Sequence, residues 1–175
     1  MQFFYSENID NDFIILEGEE MNHCTKSLRK KVGDLICVID GRGGCYSCKI
    51  INIDFKICKL LIINKKIIDK KNKVHLFISP TKNHKRIEWM LEKIVEIGVD
   101  RITFLICENS IRKTVNLKRL NKIALSAMKQ THNYFLPIID DCLSFKDAFD
   151  IIESKEKYIA HLCYDNIPLL SKYIK

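Results

Sequence analysis

The stretch from Pro80 to Val99 most constrains how this chain can fold, because it predicts a helix between two buried strands. An apolar run, Val74 to Ser79, precedes it, and the proline ends that run since it cannot donate a hydrogen bond to a sheet. Apolar residues then recur at helical spacing, and Gly98 stands where a glycine commonly ends a helix. A second apolar run, Ile102 to Cys107, follows at once. Strand, helix and strand within about 35 residues predict a βαβ unit with a parallel sheet.

The predicted helix begins at Asn83, and its sequence divides into two faces. We expect the apolar face to pack on the sheet and the charged face to meet solvent. The apolar face consists of Ile87, Met90, Leu91, Ile94 and Ile97. The charged face consists of Glu88, Glu92, Lys93 and Glu96.

Three cations, Lys82, Lys85 and Arg86, gather at the turn between the first strand and this helix. Ligands of open parallel sheets bind beyond the carboxyl ends of the strands. Cations are slightly unfavourable at a helix N-terminus, so this cluster indicates an anionic partner more strongly than scattered surface lysines do. The alternative is a solvated helix start, with Arg86 and Glu88 only on the helix surface.

The composition fits a soluble nucleic-acid-binding protein without requiring one. The 175 residues allow one large domain or two small ones, and an apolar content of 47% is enough for a core. The formal net charge is +7, from 29 basic and 22 acidic residues. Such an excess of positive charge is consistent with binding to nucleic acid. Lysine greatly outnumbers arginine, as in proteins encoded by AT-rich genomes, so the excess alone does not establish that binding. No apolar run reaches the length of a membrane span, so we expect no membrane partner.

The eight cysteines indicate a reducing compartment. Glu7 and Asp10 interrupt the N-terminal stretch, which therefore does not resemble a signal peptide, and we expect a cytoplasmic protein. Cys45 and Cys48 form a lone C-x-x-C. A zinc site would need a second pair or two histidines at ligand spacing, so we expect small core residues and no metal. The cysteines are Cys24, Cys37, Cys45, Cys48, Cys58, Cys107, Cys142 and Cys163.

Two domains are predicted, residues 1–70 and residues 74–175, with the charged connector Lys65–Lys73 between them. The first has the strand spacing of a meander or small barrel. Its predicted strands are Met1–Tyr5, Phe13–Leu16, Leu35–Ile39, Cys45–Ile53 and Ile57–Ile63. In the second, the elements predicted after the central unit are a helix over Leu117–Gln130, a helix from Ser144, a buried strand over Tyr158–Cys163 and a short helix over Pro168–Lys175.

Two further features belong to the first domain. Glu19–Arg29 predicts a short helix, and Asp40–Gly44 predicts a tight turn because Asp-Gly is followed by more glycines. A phosphate cradle is a weaker interpretation of that turn, since it leads into a strand and not into a helix.

Four stretches, taken in order, match the motifs of one family, and their order and spacing over nearly the whole chain carry the match. They are His23 with Ser27-Leu28-Arg29 and Gly33-Asp34; Asp40-Gly41-Arg42-Gly43; Lys82, Arg86, Glu88 and Glu96-Ile97-Gly98-Val99; and Ala127-Met128-Lys129-Gln130-Thr131 with Pro137. The chain resembles the RsmE-type methyltransferases of the SPOUT class, which methylate N3 of a uridine in 16S ribosomal RNA.

The resemblance implies a fold, a cofactor and partners. The expected fold is α/β, with an N-terminal PUA-like RNA-binding β-barrel before a trefoil-knotted SPOUT methyltransferase domain. The implied cofactor is S-adenosylmethionine. The implied partner is 16S ribosomal RNA in the small ribosomal subunit, bound by a homodimer with its active site at the subunit boundary. The alternative is a non-catalytic RNA-binding protein that uses the barrel.

The resemblance and the charge pattern together assign site residues. Cations are expected to contact phosphates, and an aromatic side chain to stack on a splayed base. The expected RNA-binding residues are His23, Lys26, Arg29, Lys82, Arg86, Arg112 and Tyr134. His161 and Leu162 are the expected cofactor neighbours. For His23 the alternative is packing within its own helix, for His161 a core histidine, and no general base is identified.

This sequence also departs from the family pattern. The family's G-P-E-G-G and L-G-x-x-x-L-R-x-E-T segments form the knot and hold the cofactor, and they would follow Lys175. We therefore expect the chain as printed to bind the cofactor weakly and not to methylate RNA alone. Ser27 replaces a valine, Asn109 an arginine and Asn133 a commonly basic residue. The last two replacements are expected to weaken RNA contacts.

Overall fold

A computed structural model describes residues 2–70, 73–152, 154 and 156–160 of the chain. These residues form a curled six-stranded sheet followed by a three-stranded parallel sheet with helices. In chain order the elements are β1 (Phe3–Tyr5), β2 (Ile9–Asp10), β3 (Phe13–Glu17), α1 (Gly18–Asn22), β4 (Leu35–Ile39), β5 (Gly44–Ile53), β6 (Ile57–Ile67), β7 (His75–Ile78), α2 (His84–Ile97), β8 (Arg101–Ile106), α3 (Leu117–Gln130), β9 (Ile138–Ser144) and α4 (Phe145–Asp150).

The six-stranded sheet has the order β1-β4-β5-β6-β3-β2 and curls into a half-barrel. Alternate residues along its strands point inward, as the period of a strand requires. In β5 the inward residues are Tyr46, Cys48 and Ile50, all of them buried. Cys58 and Leu60 of β6 face them in the same apolar cluster. The strands predicted for this part of the chain are thus confirmed, and they form a half-barrel.

Strand β6 is longer than predicted. It continues past Ile63 to Ile67 because its last residues pair with the start of β5, where Gly44 faces Ile67. Lys65 and Lys66, predicted to belong to a connector, lie on this strand. Their side chains stay exposed while their backbones complete the ladder. Lysine is somewhat depleted in strands, but the effect depends on context, and an exposed side chain leaves the backbone free to pair.

The segment Glu19–Arg29 is not one continuous helix. Helix α1 ends at Asn22, and a π-helical turn covers His23–Ser27. Arg29 then adopts a left-handed backbone with φ of 53°. The prediction was wrong at this end because a sequence pattern does not distinguish a π turn from an α turn.

The parallel sheet has the order β7-β8-β9, and α2 and α3 cover one of its faces. The predicted βαβ unit is confirmed. The Asn83 side chain accepts a hydrogen bond of 2.9 Å from the backbone N–H of Lys85, and Gly98 ends α2 with φ of 95°. The helices and the sheet form one apolar core on this face. Its residues include Ile87, Leu91, Val95, Ile102, Phe104, Leu120, Ala124 and Met128.

Ile97 was wrongly placed on the buried face of α2. Its side chain is 80% exposed, whereas Val95 is fully buried. The buried positions Ile87, Leu91 and Val95 follow each other at intervals of four, and two residues further the helix has turned to its far side. Among the described residues, no helix is both long and apolar enough to cross a membrane.

Strand β9 is the main element that the sequence analysis missed. Asp140 and Asp141 interrupt its apolar pattern, and the strand lies at an edge of the sheet. The predicted buried strand over Tyr158–Cys163 is wrong over Tyr158–Ala160, which are exposed and outside any strand. Its remainder and the predicted helix over Pro168–Lys175 lie outside the described residues.

A charged network crosses the face of the parallel sheet that α2 and α3 leave uncovered. Arg101 Nε donates to Asp140 Oδ2 at 2.8 Å, and Arg101 Nη2 donates to Oδ1 at 3.1 Å. The fully buried Thr103 donates to the same carboxylate and lies 2.7 Å from His75 Nε2. Burial alone would raise the pKa of Asp140, but these hydrogen bonds and the neighbouring positive charges lower it below 3.8.

Asp140→Asn should destabilise the fold at neutral pH by about 2 kcal/mol, since it removes charged hydrogen bonds. The stabilisation by Asp140 is fully present above its ordinary pKa of 3.8 and is lost as the pH falls through the lower folded-state pKa. Urea unfolding of native and variant protein should therefore show a difference at pH 7 that shrinks in acid. Asp141→Asn, at the exposed neighbouring position, is the control, and an equal loss there would contradict the assignment.

We propose the domain boundary between Lys65 and Val74, supported by the change from β6 of one sheet to β7 of the other. Limited digestion with trypsin should cut first in this segment, because it is charged and connects the two sheets. Mass spectrometry of the earliest fragments would identify the cut. A first cut inside α2 or α3 would contradict the boundary.

Candidate nucleic-acid interface

The loops that follow β7 and β8 meet at the carboxyl edge of the parallel sheet, and hydrogen bonds hold them together. Ser79 and Ser110 lie 2.8 Å apart through their hydroxyl oxygens. Arg112 Nη2 donates to the carbonyl oxygen of Lys82 at 2.9 Å. The structure thus brings together Lys82 and Arg112, two of the predicted RNA-binding residues, at the edge where ligands of such sheets bind.

A cavity of about 320 Å³ opens between these loops. Its lining is Lys82, Ile111, Arg112, Lys113 and Thr114. The Nε atom of Arg112 is buried and has no hydrogen-bond acceptor among the described residues. An unpaired buried donor costs about 1–3 kcal/mol, so a small shift of this guanidinium that brought Nε to an acceptor such as a phosphate oxygen would be favourable.

The neighbouring cations on α2 remain in solvent, whereas the acid beside them is engaged. Lys85 and Arg86 are exposed in the first turn of the helix. Arg119 of α3 donates to Glu88 through Nε at 2.5 Å and Nη2 at 2.9 Å, which joins the two helices. The hydrogen bond from Arg119 lowers the pKa of Glu88. Glu88 is therefore ionised and links α2 to α3, so it is more than an exposed residue on the helix surface.

The barrel residues of the predicted set lie around the π-helical turn. The Nε2 atoms of His23 and Gln2 are 2.6 Å apart, and the His23 ring lies 5.9 Å from that of Phe4. His23 is thus packed within the half-barrel, and its contact with RNA stays a prediction. Lys26 and Arg29 are exposed. The left-handed backbone of Arg29 is strained for a residue with a side chain, as is common at functional positions.

Tyr134 lies away from the carboxyl edge. It precedes the start of β9 by a few residues, so it belongs to the amino edge of the parallel sheet. Its ring packs 5.6 Å from that of Phe3, and its carbonyl accepts a hydrogen bond from Gly43. The predicted RNA-binding residues are thus divided among three places: the π-helical turn, the carboxyl edge, and the contact of Tyr134 with the half-barrel. Stacking of a base on Tyr134 stays a prediction.

Asn133 has a structural contact that accounts for an amide at this position. Its Nδ2 donates to the carbonyl of Val95 at 3.0 Å, and its Oδ1 accepts from the N–H of Phe135 at 3.2 Å. It therefore caps the C-terminus of α2, at the opposite edge from Lys82 and Arg112. Asn109 is exposed in the loop after β8. His161 and Leu162, the expected cofactor neighbours, lie outside the described residues.

The sequence analysis missed what the glycine turn contacts. Residues 41–43 lie against Tyr134–Leu136, with an antiparallel bridge between Arg42 and Phe135. The turn itself is confirmed, and Asp40 Oδ1 holds it by accepting from the N–H groups of Arg42 and Gly44 at 2.7 and 2.8 Å. The only signal in the sequence for this contact was the third glycine, because a tight turn by itself needs fewer than three glycines.

The half-barrel and the α/β part each match a model of a known protein family. A family model described as an RNA methyltransferase PUA domain matches residues 16–63. A second, described as an RNA methyltransferase domain, matches residues 69–170. The fold expected from the resemblance, a PUA-like barrel followed by a SPOUT-type α/β part, is confirmed by this match and by solved structures.

Three relatives illustrate the similarity. The ribosomal RNA small subunit methyltransferase E of Buchnera aphidicola is 31% identical over 147 residues, which are 79% of this chain and 58% of that protein. A probable rRNA methyltransferase structure from Porphyromonas gingivalis is 34% identical with a TM-score of 0.78, covering 85% of this chain and 63% of that one. The Neisseria gonorrhoeae methyltransferase E, bound to S-adenosylmethionine, shares the fold at 23% identity and a TM-score of 0.76, covering 88% and 66%.

The chain spans about three fifths of the length of the curated relatives that it matches. The methyltransferase-domain match alone covers more than half of the chain. The order of the two matches along the chain also agrees with the order of the two sheets. This chain therefore belongs to the RNA methyltransferase family whose members carry an N-terminal PUA domain.

Proposed function

We propose that this protein serves the S-adenosylmethionine-dependent methylation of N3 of a uridine in 16S ribosomal RNA, in the cytoplasm. Family membership and the names of its relatives support the reaction class. The observation that supports RNA binding is the carboxyl edge, where Arg112 is fixed beside Lys82 and its Nε has no acceptor among the described residues. Both residues are among those expected to contact phosphate.

The cavity at this edge suits the phosphate of the RNA better than it suits the cofactor. S-adenosylmethionine carries a positive sulfonium, and Lys82, Arg112 and Lys113 would repel it. A phosphate oxygen, in contrast, would be attracted by the same charges, and a small shift of Arg112 would let its unpaired Nε donate to that oxygen. These residues are therefore assigned to the RNA and not to the cofactor. The Neisseria relative is described as bound to S-adenosylmethionine.

The reaction also needs a group that acts on the base. Uridine N3 must lose a proton as it gains a methyl group, and that proton is only weakly acidic, so a base or a polarising cation must lie near N3. Because the cations of the carboxyl edge would repel the sulfonium that N3 has to meet, we assign this role to none of them.

We also propose that the protein acts as a homodimer. The outer side of α2 supports this proposal, because Trp89 is 63% exposed and Ile97 is 80% exposed. The two side chains lie about two turns apart on the same helix, and large apolar side chains exposed in this way are found in protein interfaces.

Arg112→Ala should weaken binding to 16S ribosomal RNA about tenfold and reduce the log–log salt slope by about one, since one phosphate contact is lost. Filter binding at several salt concentrations would measure both. Lys56→Ala is the matched control, because it removes one charge from the β5–β6 hairpin, outside the predicted set. If the two variants behaved alike, Arg112 would contribute only general charge.

Disruption of the gene should remove one N3-methyluridine from the 16S ribosomal RNA of the source cells. The methyl group blocks the pairing edge of the base, so reverse transcription would locate the site and mass spectrometry would identify the nucleoside. Restoring the gene should restore the modification. An unchanged N3-methyluridine content after disruption would contradict the proposed reaction and favour the RNA-binding alternative.

A further inference from the structure

The half-barrel and the α/β part are joined by a backbone contact at the glycine turn. The N–H of Gly43 donates to the carbonyl of Tyr134 at 3.0 Å, and the N–H of Leu136 donates to the carbonyl of Gly41 at 2.8 Å. The carbonyl of Gly43 also accepts from Ile68 at 2.9 Å. The turn is therefore hydrogen-bonded both to the segment before β9 and to the segment after β6.

Only glycine fits at the centre of this contact. A Cβ on Gly43 would lie 2.4 Å from the carbonyl oxygen of Ile68 and 2.9 Å from the ring of Phe135. A Cβ on Gly41 would lie 3.0 Å from the Cβ of Leu136. Both glycines also have positive φ, 72° at Gly41 and 102° at Gly43.

Charged and apolar contacts extend the same junction. Lys122 and Lys129 of α3 donate to Glu19 and Glu20, which belong to α1 of the half-barrel. The pair of Glu20 and Lys129 is largely buried, with side chains 15% and 22% exposed. Phe3, Cys37 and Ile39 of β1 and β4 belong to the apolar cluster of α2 and α3, so the two parts share one core.

We propose that the glycine turn is a positioning element, which fixes the distance between the cations of the π-helical turn and those of the carboxyl edge. The partner recognised in this way is a folded RNA that presents two stretches of backbone at one separation. Contacts made together from a rigid body act at high effective concentration, whereas loosely linked ones do not. This inference rests on the proposed function, and it adds the class of RNA and the residues that select it.

The two kinds of RNA should respond differently to a loosened junction. A folded RNA cannot follow a change in the distance between the two cationic patches. A single-stranded oligonucleotide is flexible and adapts to that change. A loss confined to folded RNA would therefore report positioning, whereas a general loss of stability would lower both affinities together.

The test compares Gly43→Ala with Gly33→Ala. Gly33 has nearly the same φ, 99°, but a Cβ there meets nothing within 4 Å, so only Gly43→Ala adds a clash at the junction. We expect Gly43→Ala to bind 16S ribosomal RNA at least tenfold more weakly than Gly33→Ala does. We also expect the two variants to bind single-stranded oligouridine within twofold of each other. In the Gly43→Ala background, Arg112→Ala should cost less affinity than in the native protein.

If Gly43→Ala does not fold, a second variant can test the same inference. Glu20→Gln with Lys129→Met removes the buried ion pair across the junction and leaves the net charge unchanged. It should show the same selective loss for folded RNA, and thermal unfolding would verify that it is folded.

Two results would overturn the inference: equal affinity of Gly43→Ala and Gly33→Ala for folded RNA, or an equal loss for both RNAs. Failure of the underlying function has another signature. In that case Arg29→Ala and Arg112→Ala leave RNA binding unchanged in the native background, and this inference falls with it.

Discussion

The backbone contact between the glycine turn and Tyr134–Leu136 is the constraint on which the arrangement of the two sheets depends. Elsewhere the half-barrel and the α/β part meet through side chains, which tolerate small shifts. At Gly41 and Gly43 the turn lies so close to Leu136 and Phe135 that no Cβ fits without displacement. Hydrogen bonds at this distance are directional, so they fix an orientation that apolar contacts alone leave adjustable.

The carboxyl edge of the parallel sheet shows the same use of local rigidity. Ser79 and Ser110 are 31 residues apart in the sequence, and Lys82 and Arg112 are 30 residues apart. Both pairs are nevertheless joined by a hydrogen bond. The guanidinium of Arg112 is therefore held before any ligand arrives. Fixing a donor in advance reduces the entropy lost on binding, which suits a residue that contacts phosphate.

Part of the positive charge of this chain is held in ion pairs and is not free to meet RNA. Arg119 binds Glu88 between the helices, and Lys129 binds Glu20 across the junction. Lys70 binds Asp100 at 2.8 Å and the carbonyl of Gly98, at the end of α2. Part of the basic excess thus stabilises the fold, and Lys82, Arg86 and Arg112 are informative because of where they lie rather than because of the net charge.

The sequence by itself determined the βαβ unit, the two ends of α2 and the presence of a cationic turn, because these follow from local periodicity and from the backbone preferences of proline and glycine. It also carried the family, through motifs spread along the chain. Only the tertiary structure decided that Tyr134 lies at the junction, that Ile97 faces solvent, that Asp140 is part of a buried strand network and that the glycine turn contacts the other sheet. These features depend on pairings between residues distant in sequence, which local patterns do not encode.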